Sequence, residues 1–307
     1  MRDTFVKTLL SLAAEDKSIE LVTGDLGFGV LKPFWEQLPD QFTNAGIAEQ
    51  NMTSLAAGMA MEGKNVFTYS IGNFPTFRCM EQIRNDCAYH QANVKIVCVG
   101  GGLTYGALGV SHQATEDIAC MRALPGMVVL APGDAAEAQA CTRALAAYQG
   151  SAYLRLGRGG EKKIPGEIGL FSIGKARLIY DGEKIALFST GAFFEEVDTA
   201  YEILKEKGYR PAVYTFPTVK PIDRELIEKA GREFDLIVTC EEHNILGGFG
   251  SAVAEVLAGM KERKARVCYV GLQDTFVCKV GDQRYLRREY GIDGKSIAEK
   301  VMREMNG

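Results

Sequence analysis

Short runs rich in Val, Ile, Leu and Tyr alternate along the whole chain with stretches whose apolar positions recur every third or fourth residue. In the first half, Ile19–Val22, Val66–Tyr69, Val94–Val99, Met127–Leu130 and Tyr153–Leu156 read as strands. Glu49–Met61, Arg78–Gln91, Thr115–Leu124 and Ala135–Tyr148 read as the helices between them. The alternation lapses from Gly157 to Gly174, where Gly, Lys and Pro accumulate, and then restarts. Strands at Ile185–Ser189, Ala212–Thr215, Leu236–Cys240 and Arg266–Val270 are separated by helices near Glu195–Lys207, Arg224–Ala230 and Gly250–Met260. A helical region from Asp282 to Met305 closes the chain. Strands separated by helices are joined by crossovers rather than hairpins, so the pattern predicts mainly parallel sheets covered by helices on both faces. The expected fold class is α/β with two α/β/α sandwich domains: residues 1–160 with a mostly parallel sheet, a linker over 161–174, and a smaller domain over 175–307.

The N-terminus has the outline of a secretory leader, with Arg2 ahead of Val6, Leu9, Leu10 and Leu12. Asp3, Lys7, Thr8 and Ser11 interrupt that run, and Phe5, Leu9 and Leu12 fall at helical spacing, so an amphipathic first helix is expected instead. No stretch approaches the length of a membrane span. The 307 residues suffice for two cores, and 47% hydrophobic with 24% charged residues is the balance of a compact chain. A formal net charge of −4 and the lack of a dense Lys/Arg run argue against nucleic acid as a partner and leave small neutral or anionic substrates. None of the eight cysteines is paired at zinc-ribbon or redox spacing, which predicts reduced, mostly buried thiols in a cytoplasmic protein.

Several segments carry chemistry-bearing residues. Asn44-Ala45-Gly46-Ile47-Ala48-Glu49-Gln50-Asn51-Met52 puts an acid at the entry to a helix, where complementing the helix dipole is the simplest role. Tyr69-Ser70-Ile71-Gly72-Asn73-Phe74-Pro75-Thr76-Phe77 leaves a strand with two aromatics that general burial preferences would assign to the core. A glycine-rich run, Gly100 to Gln113, follows another strand and contains His112, one of only three histidines. Thr115-Glu116-Asp117 reads as the cap of the next helix. Tyr153-Leu154-Arg155-Leu156-Gly157-Arg158 closes the first domain's last strand, and Asp25 follows its first, where an Asx-type turn is a nearly equal reading.

Taken in order, these segments resemble transketolases and 1-deoxyxylulose-5-phosphate synthases over essentially the whole chain. GIAEQNM is similar to their glutamate motif, NFPTF to the element bearing their ring-stacking aromatic, and SHQ to their THQ landmark. CEEHNILGGFG resembles a structural and interface element of their C-terminal domain, so His243 receives no catalytic role. The resemblance implies thiamine diphosphate as cofactor. Glu49 is then the acid/base partner of the coenzyme's aminopyrimidine, in a dry site with an elevated pKa. Phe74 is the stacking ring and Phe77 a second wall. Asp25 lies near the thiazolium at a subunit junction, and His112 is a catalytic residue that positions substrate oxygens and shuttles protons. Arg158, with Arg155 as the weaker candidate, holds the substrate phosphate.

The sequence departs from the family at Gly100, where a substrate-binding histidine is expected, and at Leu108, where an aspartate reads a sugar hydroxyl; donor identity stays open. No GDG motif for the pyrophosphate and its Mg²⁺ occurs. The resemblance therefore implies a split enzyme: an N-terminal transketolase subunit supplies the metal site, no metal ligand comes from this chain, and the pair forms a heterotetramer. A homodimer is possible for the chain alone. The function implied is transfer of a two-carbon ketol unit between sugar phosphates. The alternatives are decarboxylative chemistry, as in the synthases or the β subunit of 2-oxo-acid dehydrogenases, and a non-catalytic scaffold subunit.

Overall fold

The computed structural model describes residues 1–306. The chain begins with α1 (Arg2–Glu15), whose Phe5, Val6, Leu9 and Ala13 are buried, the amphipathic helix its spacing predicts. The first domain continues with β1 (Ile19–Thr23), α2 (Lys32–Gln37), β2 (Phe42–Asn44), α3 (Glu49–Met61) and β3 (Asn65–Ile71). After these come α4 (Met80–Gln82), β4 (Val94–Val99), α5 (Asp117–Ala123), β5 (Val128–Leu130), α6 (Ala135–Ala147) and β6 (Ala152–Leu156). The second contains β7 (Arg177–Tyr180), β8 (Ile185–Ser189), α7 (Phe194–Glu206), β9 (Ala212–Thr215), β10 (Thr218–Lys220), α8 (Arg224–Glu233), β11 (Leu236–Asn244), α9 (Phe249–Ala258), β12 (Arg266–Leu272), α10 (Gln283–Glu289) and α11 (Gly294–Asn306).

The first sheet has seven strands in the order β10-β5-β6-β4-β3-β1-β2, and the second has five in the order β12-β11-β8-β9-β7. Pairing is parallel except at β10 with β5 and β7 with β9. Strands buried on both faces need apolar residues at most consecutive positions, which explains the run in β8 and the one in β4, interrupted only by the buried Lys95. In the first domain α1 packs with α6 on one face and α3 lies on the other; in the second, α7 packs with α11 and α8 with α9.

The two domains share a core. One apolar cluster joins Met52 and Ala56 of α3 and Ile118 and Met121 of α5 to Ile227 of α8 and Val253 and Leu257 of α9, through Phe216 and Val219. β10 is the covalent counterpart of that continuity: it follows β9 of the second domain yet extends the first sheet, antiparallel to β5. At three residues it is too short to show a periodic pattern, as are α2 and β2.

The stretch expected as one helix over Arg78–Gln91 is instead a 3₁₀ turn at Phe77–Cys79, the short α4, and a π-helical run over Ile83–Tyr89. The wider turn stacks positions five apart, so that Ile83, Cys87 and Ala88 all face the core. Nor does Thr115-Glu116-Asp117 cap α5: no side-chain bond is made at its N-cap, and Asp117 is fully buried, accepting from Tyr153 and Arg155.

Candidate active site

β6, β4, β3, β1 and β2 lie side by side and parallel, so their carboxyl ends open along one edge of the first domain. Asp25 follows β1, Glu49 follows β2, Phe74 and Phe77 follow β3, His112 follows β4 and Arg158 follows β6. The chain steps from β1 outward to β2 and then crosses back to β3 on the other side of β1. Crossovers that diverge in this way leave a crevice at the strand ends, where ligands of open parallel sheets bind.

Glu49 is the first residue of α3 and is 4% exposed, so its carboxylate sits in the field of the helix N-terminus with little water. Its Oε2 accepts from Arg78 Nη1 at 2.7 Å. The Arg78 guanidinium carbon is 4.7 Å from the centroid of the half-buried Phe74 ring, which places Glu49, Arg78 and Phe74 in one group. Phe77, also half-buried, is the residue before Arg78. Asp25 adopts a left-handed backbone (φ 54°) and is locked to β2: Asn44 donates to its carboxylate at 2.9 Å and accepts from its N–H at 3.0 Å.

His112 meets Phe74 edge-on, with ring centroids 5.1 Å apart, and its Nδ1 lies 3.0 Å from the Ser111 hydroxyl. The approach depends on Gly72 (φ 53°), where a Cβ would stand 2.4 Å from the His112 carbonyl oxygen. At Gly100 (φ 85°) a Cβ would lie 2.1 Å from the Tyr105 ring, so Tyr105 fills the room that a larger residue at position 100 would need. Tyr105 then connects His112, at 6.5 Å between centroids, to Arg158, whose guanidinium carbon lies 5.6 Å from the Tyr105 ring. Arg158 is exposed and borders a cavity of about 220 Å³ between the domains, lined also by Thr104, Lys162, Glu195, Arg284 and Arg287. Leu108 is 56% exposed, and its backbone N–H donates to the Tyr105 carbonyl at 2.8 Å.

Arg155 is placed differently from Arg158. It is 4% exposed, and its guanidinium donates to Asp117 Oδ2 at 2.8 Å, to the Ala114 carbonyl at 2.8 Å and to the Glu242 carbonyl at 3.0 Å. Burial is the largest single influence and lowers its pKa, but the Asp117 carboxylate, Tyr153 and Cys98 together outweigh it and the net shift is upward. The guanidinium thus bolts the first domain to β11.

The motif around Glu241 completes that joint. Glu241 accepts from the N–H groups of Phe249 at 2.7 Å and Gly250 at 2.8 Å, capping α9, and burial pushes its carboxyl up to about 7. Glu242 accepts from the Leu103 N–H of the first domain at 2.7 Å and from Arg287. His243 is fully buried, which pulls its pKa down to about 4; its Nε2 accepts from Ala119 N–H at 3.3 Å and its Nδ1 contacts the Asn244 carbonyl at 2.6 Å. The neutral, fully bonded ring is structural. Sequence reasoning did not single out Arg78 or Tyr105; the only trace of Tyr105 was its place in the glycine-rich run.

A two-domain α/β chain that gathers a buried acid, aromatic rings and an imidazole at the carboxyl ends of a parallel sheet is built as the ligand-binding chain of a small-molecule enzyme. Residues 1–160 match the pyrimidine-binding domain of transketolase, and residues 174–297 match the transketolase C-terminal domain. The chain belongs to the transketolase family. One chain of the apulose-4-phosphate transketolase of Phocaeicola vulgatus is 37% identical over 306 residues, covering 98% of this chain and 96% of its own length. The 1-deoxy-D-xylulose-5-phosphate synthase of Caldanaerobacter subterraneus is 34% identical over 99% of this chain, which corresponds to 49% of the synthase. A solved structure described as a split gene transketolase, inactive β4 tetramer, has a TM-score of 0.88 at 33% identity, covering 98% of this chain and 96% of that one.

Proposed function

We propose that this chain is one subunit of a split transketolase that moves a two-carbon ketol unit between sugar phosphates with thiamine diphosphate. A partner subunit supplies the pyrophosphate and Mg²⁺ site. The observation that carries the reading is the buried Glu49 carboxylate at the start of α3, grouped with Phe74 and, through Phe74, with His112 at the crevice between β1 and β3. The group fits an aminopyrimidine: a planar cation already lies against Phe74 while donating an N–H to Glu49, so the slot accepts a flat donor. Bound there, the coenzyme supplies a stabilised carbanion equivalent for cleaving and forming bonds next to a carbonyl.

The roles of this chain's residues follow from position. Glu49 holds a proton at the aminopyrimidine ring nitrogen, and burial keeps water from competing for it. Phe74 and Phe77 fix the ring plane, and Asp25, held by Asn44, stands at the rim toward the partner. His112 orients substrate oxygens and exchanges protons with them, and Arg158 takes the substrate phosphate at the mouth of the interdomain cavity. Phe28 (61% exposed), Ile47 (80%), Leu108 (56%) and Val110 (57%) leave apolar side chains on the loops that follow β1, β2 and β4, which supports docking of a partner over the half-site. Since the sequence holds no GDG motif, the metal ligands are assigned to that partner. A heterotetramer is the expected assembly, with self-association of the isolated chain as the fallback.

The test is a product assay on the chain reconstituted with the partner subunit, using xylulose 5-phosphate against pyruvate as donor. Ketol transfer that Glu49→Gln abolishes supports the reading. Turnover of pyruvate alone would replace it with decarboxylative chemistry, and activity that survives Glu49→Gln would remove Glu49 from the mechanism.

A further inference from the structure

We propose that Arg78 occupies the coenzyme's ring slot in the partner-free chain and must leave it when the aminopyrimidine enters. This rests on the assignment of Glu49 and Phe74 to that ring made above. The guanidinium has the two features by which such a slot would recognise an aminopyrimidine, a flat π face and N–H donors along its edge. It uses both. One edge nitrogen donates to Glu49 Oε2 at 2.7 Å, and its carbon lies 4.7 Å from the Phe74 centroid.

The setting suits an occupant that can leave. The Arg78 side chain is 47% exposed whereas that of Glu49 is 5% exposed, so the guanidinium reaches inward from the mouth and needs no core rearrangement to withdraw. His112 already takes an edge contact with Phe74 at 5.1 Å, which leaves Arg78 and an incoming ring to compete for what remains of that ring's surface. The backbone around Arg78 is a 3₁₀ turn leading into a three-residue helix and a π-helical stretch, so no long α-helical hydrogen-bond ladder fixes the residue in place.

A reason for such an occupant follows from burial. A carboxylate held at 4% exposure without a partner is costly, and in the separate subunit no coenzyme is present to supply one. Arg78 neutralises Glu49 until the coenzyme arrives with the other subunit. The contact then acts as a threshold: coenzyme binding has to displace a half-exposed ion pair and a cation–π contact, which together weaken apparent affinity by about tenfold.

The experiment titrates thiamine diphosphate with Mg²⁺ by calorimetry into complexes of the partner subunit with the wild-type chain, Arg78→Met and Arg78→Lys. Thermal unfolding of the chains alone runs in parallel. Arg78→Met should bind the coenzyme about tenfold more tightly than wild type, with Arg78→Lys between them because an ammonium pairs with Glu49 but covers Phe74 poorly. Alone, Arg78→Met should unfold at lower temperature than wild type, and Arg78→Met/Glu49→Gln should recover the loss. Equal or weaker coenzyme binding by Arg78→Met, with wild type binding normally, overturns the proposal and makes Arg78 a permanent support for Glu49. Failure of the wild-type complex to bind coenzyme at all, or binding indifferent to Glu49→Gln, overturns the assignment of the slot and this inference with it.

Discussion

Two arginines three positions apart on the same strand and its exit should respond to substitution in opposite ways. Arg155→Met deletes a guanidinium that is 4% exposed and serves Asp117 and the carbonyls of Ala114 and Glu242. The fully buried Asp117 then keeps only the Tyr153 hydroxyl on Oδ2, while its Oδ1, with no hydrogen-bond partner, lies 3.9 Å from a neutral His243. Removing one side of a buried pair costs about 3–5 kcal/mol. With roughly 2–4 °C per kcal/mol for domains of this size, the melting temperature should fall on the order of 10 °C. Arg158→Met removes an exposed group that touches the Tyr105 ring, so stability should move by no more than about 0.5 kcal/mol. In the reconstituted enzyme that variant should instead raise KM for a phosphorylated substrate. Differential scanning calorimetry on both variants, with steady-state kinetics on the assembled enzyme, separates the effects, and Arg155→Met/Asp117→Leu should regain part of the lost stability. If Arg155→Met left the melting temperature unchanged and raised KM, the joint between the domains would be wrong and Arg155 would be a substrate ligand.

Gly72→Ala puts a Cβ 2.4 Å from the His112 carbonyl at a φ of 53°, so it should cost at least about 1 kcal/mol in urea denaturation and increase cleavage of the His112 loop in limited proteolysis. Gly100→His should destabilise the chain through the Tyr105 ring 2.1 Å from the new Cβ, and Gly100→His/Tyr105→Ala should recover most of the loss, as thermal melts would show. Burial pulls the Lys95 amine from its ordinary 10.5 down to about 7. Between those values the unfolded chain binds more protons than the folded one, so this contribution to stability rises with pH from about 7 to about 10. The melting temperature of Lys95→Met relative to wild type should therefore be highest near pH 7 and fall as pH approaches 10; a constant difference would mean that Lys95 stays charged in the folded chain.

The local elements were legible wherever burial imposes a period. The limits of Val94–Val99, Ile185–Ser189, Ala212–Thr215 and Glu49–Met61 fall where the pattern puts them, because strands covered on both faces need predominantly apolar runs and α3 shows its core a single stripe. The Arg78–Gln91 segment went astray because its apolar residues suit a helix of either hydrogen-bond register, and the chain takes the π form where it packs against α3. β10 was missed since three residues carry no period and its pairing partner belongs to the other domain.

The sequence by itself determined the class of the fold, the two-domain order and the transketolase kinship, because these depend on residue type and on spacing along the chain. Only the tertiary structure decided which of two neighbouring arginines is free, that Tyr105 fills the space beside Gly100, and that Arg78 reaches Glu49 across a separation of 29 residues. Those outcomes depend on which side chains the sheet order brings together and on how much water remains around each, and neither quantity has a local signature in the chain.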